Sequence, residues 1–126
     1  MAMADKSIVM LGCFDTKGED FSYLLKSLGA LGQQVITINT GVMVTSVDFP
    51  IDVDQDDVAA ASGAVLETIR KSNDRGRAVE LMGKGAAAML AELASKDKIK
   101  GVIGMGGGGG TYIILEAMQA VPLGIP

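Results

Sequence analysis

Gly101-Val-Ile-Gly-Met-Gly-Gly-Gly-Gly-Gly-Thr111, running on into Tyr112-Ile-Ile-Leu-Glu-Ala-Met-Gln-Ala120, sets the architecture of this 126-residue chain. The apolar run 101–105 has the length of a strand, and the apolar run 111–120 has the length of a helix. Consecutive glycines join them. Strand, turn and helix in that order are the parts of an α/β domain, in which helices cross over between parallel strands. The same order makes an anion site. N–H groups at a helix start lack partners, the helix dipole adds partial positive charge there, and glycine, having no Cβ, lets its backbone come close to a ligand. Gly106, Gly107, Gly108, Gly109, Gly110 and Thr111 are therefore candidate phosphate contacts.

Upstream, Ser7-Ile-Val-Met-Leu11 is a short continuous apolar run, as expected of a strand buried on both faces. A polar turn follows, Gly12-Cys-Phe-Asp-Thr-Lys-Gly18. Phe21, Leu24, Leu25, Leu28 and Leu31 then fall on one helical face, with Glu19 and Asp20 in the first turn and Gly29 and Gly32 marking the end. Gln34-Val-Ile-Thr-Ile-Asn39 reads as a second strand, which makes 7–39 a β-α-β unit with a right-handed crossover. Residues 40–55 read as an irregular loop of the length that serves a site or a partner.

Asp52, Asp54 and Asp56 imitate the opening of a calcium loop, but Asp57 stands where that loop needs glycine and Gly63 where it needs glutamate. Asp54 reads instead as the cap of a helix running to about Lys71, with Val58, Ala61, Val65 and Ile69 inward. Asn73 or Asp74 caps the next helix, Arg75 to Ser95, which carries Val79, Met82, Ala86, Met89 and Leu93 on one face. Gly83, Gly85 and Ala86–Ala88 narrow that helix for close approach, by packing onto the sheet or by a subunit contact that would make the protein a dimer. Val121-Pro-Leu-Gly-Ile-Pro126 reads as the approach to a fourth strand, cut short there, so the chain is expected to be the N-terminal part of a longer protein. The fold class expected is a single Rossmann-like, three-layer α/β domain with a mainly parallel sheet.

Composition narrows the function. A net charge of −4, with no Lys/Arg cluster and with two Tyr, three Phe and no Trp, lacks the footprint of a nucleic-acid binder. No apolar run approaches the roughly 20 residues that span a bilayer, and the Met1–Lys6 stretch lacks a signal-peptide layout; Met1-Ala2 before Met3 reads as a cloning remnant. One cysteine, Cys13, fits a reducing cytoplasm. The absence of histidine excludes a Ser-His-Asp triad, a Cys-His pair and histidine-ligated zinc within this chain. Acid–base chemistry is left to carboxylates, lysines or tyrosine, and a metal would be a hard one such as Mg²⁺.

Ligands of open α/β sheets bind beyond the carboxyl ends of the strands, where the winding reverses. If the third strand lies beside the first, the loops 12–18 and 104–111 face each other across that crevice. One supplies glycine amides and Thr111; the other supplies Asp15, Thr16 and Lys17. Amides, an ammonium, hydroxyls and a Mg²⁺-organising carboxylate, Asp15, are what a nucleoside triphosphate requires. Gly104-Met-Gly-Gly-Gly-Gly satisfies G-x-G-x-x-G, as any glycine run does, and the P-loop pattern fails because Gly110 occupies the lysine position. Lys17 is the candidate replacement. Asp15 just after the first strand also admits a nucleophile in phosphoryl transfer or a sugar-phosphate reaction, and Arg75 admits a phosphate contact or a plain helix start. A third alternative is a dimerising interaction module with nucleotide as a structural ligand.

Gly12-x-Phe-Asp-Thr-Lys-Gly-Glu19, Asp74-Arg-Gly-x-Ala78, Met82-x-x-Gly-Ala86 and Gly101-Val-Ile-Gly-x-Gly-Gly-x-Gly-Gly-Thr111 occur in this order. Together they closely resemble the ATP-binding N-terminal domain of the plant tobamovirus-resistance (Tm-one) protein family and its bacterial and fungal relatives, an uncharacterised group. The resemblance implies a Rossmann-like domain followed by a second, C-terminal α/β domain, with ATP and Mg²⁺ as ligands. It leaves Thr111 as the main hydroxyl of the glycine loop, since relatives often carry serine where this chain has Gly108. On that footing Lys17 and the glycine amides hold phosphates, Asp15 organises Mg²⁺, and Asn39, Thr40 and Gly41 approach the ribose or base. The antiviral role of the plant branch is not carried over.

Overall fold

Ser7–Gly12 (β1), Val35–Asn39 (β2) and Ile99–Met105 (β3) pair in parallel as one sheet, in the order β2-β1-β3. Residues 6–126 are described by this computed structural model, so the reading of Met1-Ala2 lies outside the described residues. The register sets Leu11 opposite Ile38 and Gly104, and Gly12 opposite Asn39 and Met105. The three carboxyl ends are therefore level. Residues alternate between the faces of a strand, so Val9 and Leu11 enter one core while Met10 enters the other. The Met10 face is covered by the helix Phe14–Ala30 (α1), through Phe14 and Phe21, whose rings lie 4.9 Å apart. The opposite face carries Gln55–Ala61 (α2), Leu66–Ser72 (α3), Arg75–Ser95 (α4) and Gly108–Met118 (α5). This is the Rossmann-like three-layer α/β arrangement expected.

Helix starts are where the structure departs from the sequence reading. The polar turn 12–18 is mostly helix: α1 begins at Phe14, and Asp15, Thr16 and Lys17 form its first turn up to a kink at Lys17. The cap comes from β2, because the Phe14 amide donates to Asn39 Oδ1 at 3.2 Å and Cys13 makes no side-chain cap bond. The glycine run is likewise shorter as a loop than expected, since Gly108–Gly110 form the first turn of α5. The helix expected from 54 to 71 is two. Asp54 caps α2 in a reciprocal box with Asp57, but Gly63, at φ +83°, turns the chain before α3. Ala61 and Val65 are consequently exposed, and Leu66 joins Ile69 inside.

The α4 limits and the Asp74 cap match the reading, Asn73 being the left-handed C-cap of α3. Its glycines pack against neighbouring helices and not against the sheet. Gly85 faces the Val58 carbonyl of α2, and Gly83 faces the Glu116 side chain of α5. Val121–Pro126 returns along the outer side of β3, where the Val102 amide donates to the Pro126 carbonyl at 2.8 Å. That is the place expected for a fourth strand, though 121–126 itself forms none.

Candidate functional site

The chain leaves β1 toward β2 on one side and returns to β3 on the other, so the winding reverses between β1 and β3. Ligands of such sheets sit at that point. A cavity of about 660 Å³ lies there. The start of α1 contributes Cys13, Asp15 and Thr16, and the start of α5 contributes Gly109 and Gly110. The segment Thr40–Val44 forms a third wall. Ile69 and Arg70 of α3, then Asn73–Arg75 with Ala78, Val79 and Met82 of α4, complete the lining.

The glycines divide by reason. A Cβ on Gly106 would stand 2.8 Å from the Gly110 carbonyl carbon and 2.9 Å from the Thr111 amide, so packing alone demands glycine there. Gly107 and Gly108 face open space, a Cβ on Gly109 would meet Val79 at 3.3 Å, and one on Gly110 would meet Cys13 Sγ at an ordinary 3.7 Å. None of the five has positive φ; among the described glycines only Gly32, Gly63 and Gly124 do. Glycine at a helical position costs up to about 1 kcal/mol relative to alanine. Val79 crowds a side chain at Gly109, but nothing inside the protein explains why Gly107, Gly108 and Gly110 lack one. The N-cap, Gly107, has no side chain to cap with, and the first bond of the ladder is Thr111 N–H to the Gly107 carbonyl at 2.9 Å. The amides of Gly108–Gly110 thus open α5 without an intrahelical partner.

Asp15 is held on one side by the segment that follows β2. Its Oδ2 accepts from the Met43 amide at 2.9 Å, and its carboxylate lies so close to Gly41 that a Cβ there would overlap it. Its Oδ1 is buried and has no hydrogen-bond partner. Orphaned buried oxygens are uncommon and costly, of order 1–3 kcal/mol, so each needs an explanation. Beside it, Cys13 Sγ lies 3.8 Å from Thr40 Oγ1. Burial pushes the Cys13 thiol up from its ordinary value, the Thr40 hydrogen bond opposes this, and the Asp15 charge adds to it. The thiol therefore stays protonated near neutral pH. Alkylation of Cys13 by iodoacetamide at pH 7 should run at least about tenfold slower than that of free cysteine, because the thiolate is the nucleophile. A rate equal to that of glutathione would contradict this burial.

Of the residues expected from sequence, Asp15, Thr16, Thr40, Gly41, Gly109 and Gly110 line this cavity. Lys17, Asn39, Gly106, Gly107, Gly108 and Thr111 do not. Lys17 is exposed at the kink of α1. Asn39 is fully buried and structural: Oδ1 accepts from the Phe14 and Gly41 amides, and Nδ2 donates to Thr45 Oγ1 and Asp54 Oδ1. Thr111 Oγ1 donates to the Gly106 carbonyl at 2.9 Å, tying off the turn. The cations that do line the cavity are Arg70 and Arg75. Arg75 was a candidate from its place ahead of α4; nothing local marked Arg70, which meets the site only because α3 folds back beside Val42.

Comparison with known proteins adds the family. The description "Uncharacterised protein family (UPF0261) N-terminal domain" matches residues 6–126. The chain is 39% identical over 122 residues to a UPF0261 protein of Clostridium tetani, covering 97% of this chain and 30% of that protein. It is 37% identical over 121 residues to UPF0261 protein RA0729 of Rhizobium meliloti, covering 96% of this chain and 29% of that protein. Tomato ToMV susceptible protein tm-1(GCR26) is 28% identical over 134 residues, which is 94% of this chain and 18% of the tomato protein. The chain spans less than a third of the length of these relatives. The motif resemblance to the plant protein and its bacterial relatives therefore holds. Among the described residues no helix is long and apolar enough to cross a membrane.

Proposed function

Since this chain belongs to the uncharacterised protein family UPF0261, as its N-terminal domain, we propose that it binds a nucleoside triphosphate, ATP with Mg²⁺, on behalf of a longer protein. The observation that carries this reading is the start of α5. Gly110 there meets no conformational or packing need, and it lines, with Gly109, a cavity at the reversal of the sheet. Bare amides at a helix start suit a phosphate. The reading moves the positive charge from Lys17 to Arg75, with Arg70 nearby, because these two guanidinium groups line the cavity. Arginine also matches phosphate oxygens in a planar, two-bonded way that lysine cannot.

Mg²⁺ fits the donors present. Among the described residues no group of three or more acidic, cysteine or histidine side chains gathers for a metal. One carboxylate suffices when phosphates and water supply the other ligands, and Asp15 Oδ1, buried without a partner, is that carboxylate. Bound there, the ion would neutralise phosphate charge and fix the phosphates' geometry. Thr16 and Thr40 offer hydroxyls, and the aliphatic wall of Val42, Ile69 and Val79 suits the ribose and base.

Calorimetry tests the reading on the 126-residue chain. ATP with Mg²⁺ should give a saturable heat near one nucleotide per chain, weakened at least about tenfold in Arg75→Ala, an effect of roughly 1.4 kcal/mol, and changed less than about twofold in Lys17→Ala. No heat with ATP, ADP or inorganic phosphate would remove the proposal. Loss in Lys17→Ala with none in Arg75→Ala would return the role to Lys17.

A further inference from the structure

We infer that occupancy of this cavity is read out by the strap Gly41–Thr45, through Asp15 and Arg70; the inference rests on the nucleotide reading and names how that site is coupled to the surface. The strap runs along the cavity, with Val42, Met43 and Val44 in its lining. Its root is fixed from below. The Gly41 amide donates to Asn39 Oδ1 at 3.1 Å, and Gln55 Nε2 donates to the Gly41 carbonyl at 2.9 Å and the Met43 carbonyl at 2.6 Å. Asn39 and Gln55 are buried and neither lines the cavity. A ligand does not reach them.

The span is held differently. Asp15 Oδ2 accepts from the Met43 amide, and Arg70 Nε donates to the Val42 carbonyl. Both anchors are charged, of opposite sign, and both line the cavity. Each has hydrogen-bonding capacity left over. Asp15 Oδ1 is buried without a partner, and a guanidinium that spends its Nε–H keeps four further donors. A Mg²⁺-bearing triphosphate supplies a cation for the first and phosphate oxygens for the second. A cation drawn to the Asp15 carboxylate through Oδ1 leaves Oδ2 on the Met43 amide and fixes the carboxylate against the strap that covers it. Binding therefore tightens the strap and does not release it. Gly41 is part of the device, because only glycine lets the strap lie directly on the Asp15 carboxylate.

The strap also explains an otherwise odd arrangement, in which buried amide side chains hold in place a tip whose Met43 and Val44 are 61% and 83% exposed. The tip is an apolar surface feature whose mobility answers to the cavity. Such coupling needs no large movement, only a change in the opening free energy of a few backbone bonds.

Hydrogen exchange by mass spectrometry, run on the chain alone, with ATP, and with ATP and Mg²⁺, tests this beside calorimetry on the same samples. The expected result is at least tenfold slower exchange in peptides spanning 42–45 with ATP and Mg²⁺. Asp15→Asn keeps an acceptor for the Met43 amide but loses the carboxylate charge. At nucleotide concentrations that calorimetry shows to saturate it, Asp15→Asn should therefore lose most of the Mg²⁺-dependent slowing. Saturable heat with unchanged exchange at 42–45 overturns the inference and leaves the nucleotide reading standing. No heat removes both. Slowing of equal size in Asp15→Asn would show that Asp15 is not the coupling group.

Discussion

Replacing Gly85 by alanine should lower the melting temperature by about 10 °C or more, whereas alanine at Gly83, two residues away on the same helix, should leave it unchanged or slightly raised. The contrast comes from what each new methyl meets. At Gly85 the Cβ would press on the Val58 carbonyl oxygen of α2 and stand 2.8 Å from its carbonyl carbon. Backbone packed on backbone cannot rotate away, so α2 and α4 must separate, opening a core that includes Val58, Met82 and Ala86, each fully buried. Overpacking typically costs about 1–3 kcal/mol and sometimes more, and a contact this close belongs at the upper end. A domain of this size loses roughly 3–5 °C per kcal/mol. At Gly83 the obstacle is the Glu116 carboxylate, the far end of a flexible side chain whose Oε2 is buried without a partner. Swinging it into water relieves that oxygen while alanine adds helix propensity of up to about 1 kcal/mol. Thermal melts followed by circular dichroism of the two variants and of the exposed Ala88→Val control decide it. Equal melting for Gly85→Ala and wild type would mean that the helices do not touch there.

That pair of glycines also marks how far sequence reasoning reaches. The step 83–88 of small residues announced a close approach, but which backbone approaches depends on α2 lying across α4, a tertiary fact. Elements defined by their own periodicity, such as the three strands and α4, were legible, because burial of one stripe or of a whole short run leaves a local pattern. Helix starts were less so. The cap of α1 is Asn39 from the adjacent strand, 25 residues away, and no window around Phe14 contains it. The break at Gly63 was visible only as one glycine inside a plausible helix of 18 residues.

The site followed the same division. The two loops could be paired from topology, so Asp15, Thr16, Gly109 and Gly110 were within reach. Lys17 and Asn39 were assigned by chemical type, and type does not say where a side chain points. The kink turned Lys17 out, and the need to cap α1 drew Asn39 in. Arg70 reaches the cavity by α3 packing back on the strap, which the misread continuous helix concealed.

Valine at Gly110 should abolish most nucleotide binding, about a hundredfold or more, with little change in stability, while valine at Gly108 should leave binding within about threefold. Both residues lie in the first turn of α5 and neither has positive φ. A Cβ on Gly110 points at Cys13 Sγ, 3.7 Å off, and so into the crevice between the starts of α1 and α5. The protein leaves room for that Cβ, but a phosphate seated on the α5 amides does not, since anion and side chain compete for one space. A Cβ on Gly108 faces nothing within 4 Å and Gly108 does not line the cavity. In stability the two substitutions should match to within about 1 kcal/mol, because valine is somewhat better than glycine in a helix and a Cβ clashes at neither position. A hundredfold loss is roughly 2.7 kcal/mol of binding, well separated from that. The decisive comparison is therefore within one turn of one helix, by calorimetry and thermal melts on the same preparations. If Gly110→Val binds nucleotide like wild type, the start of α5 is not where the phosphates sit. If Gly108→Val loses binding as fully, the ligand lies outside the cavity, across the open end of the helix.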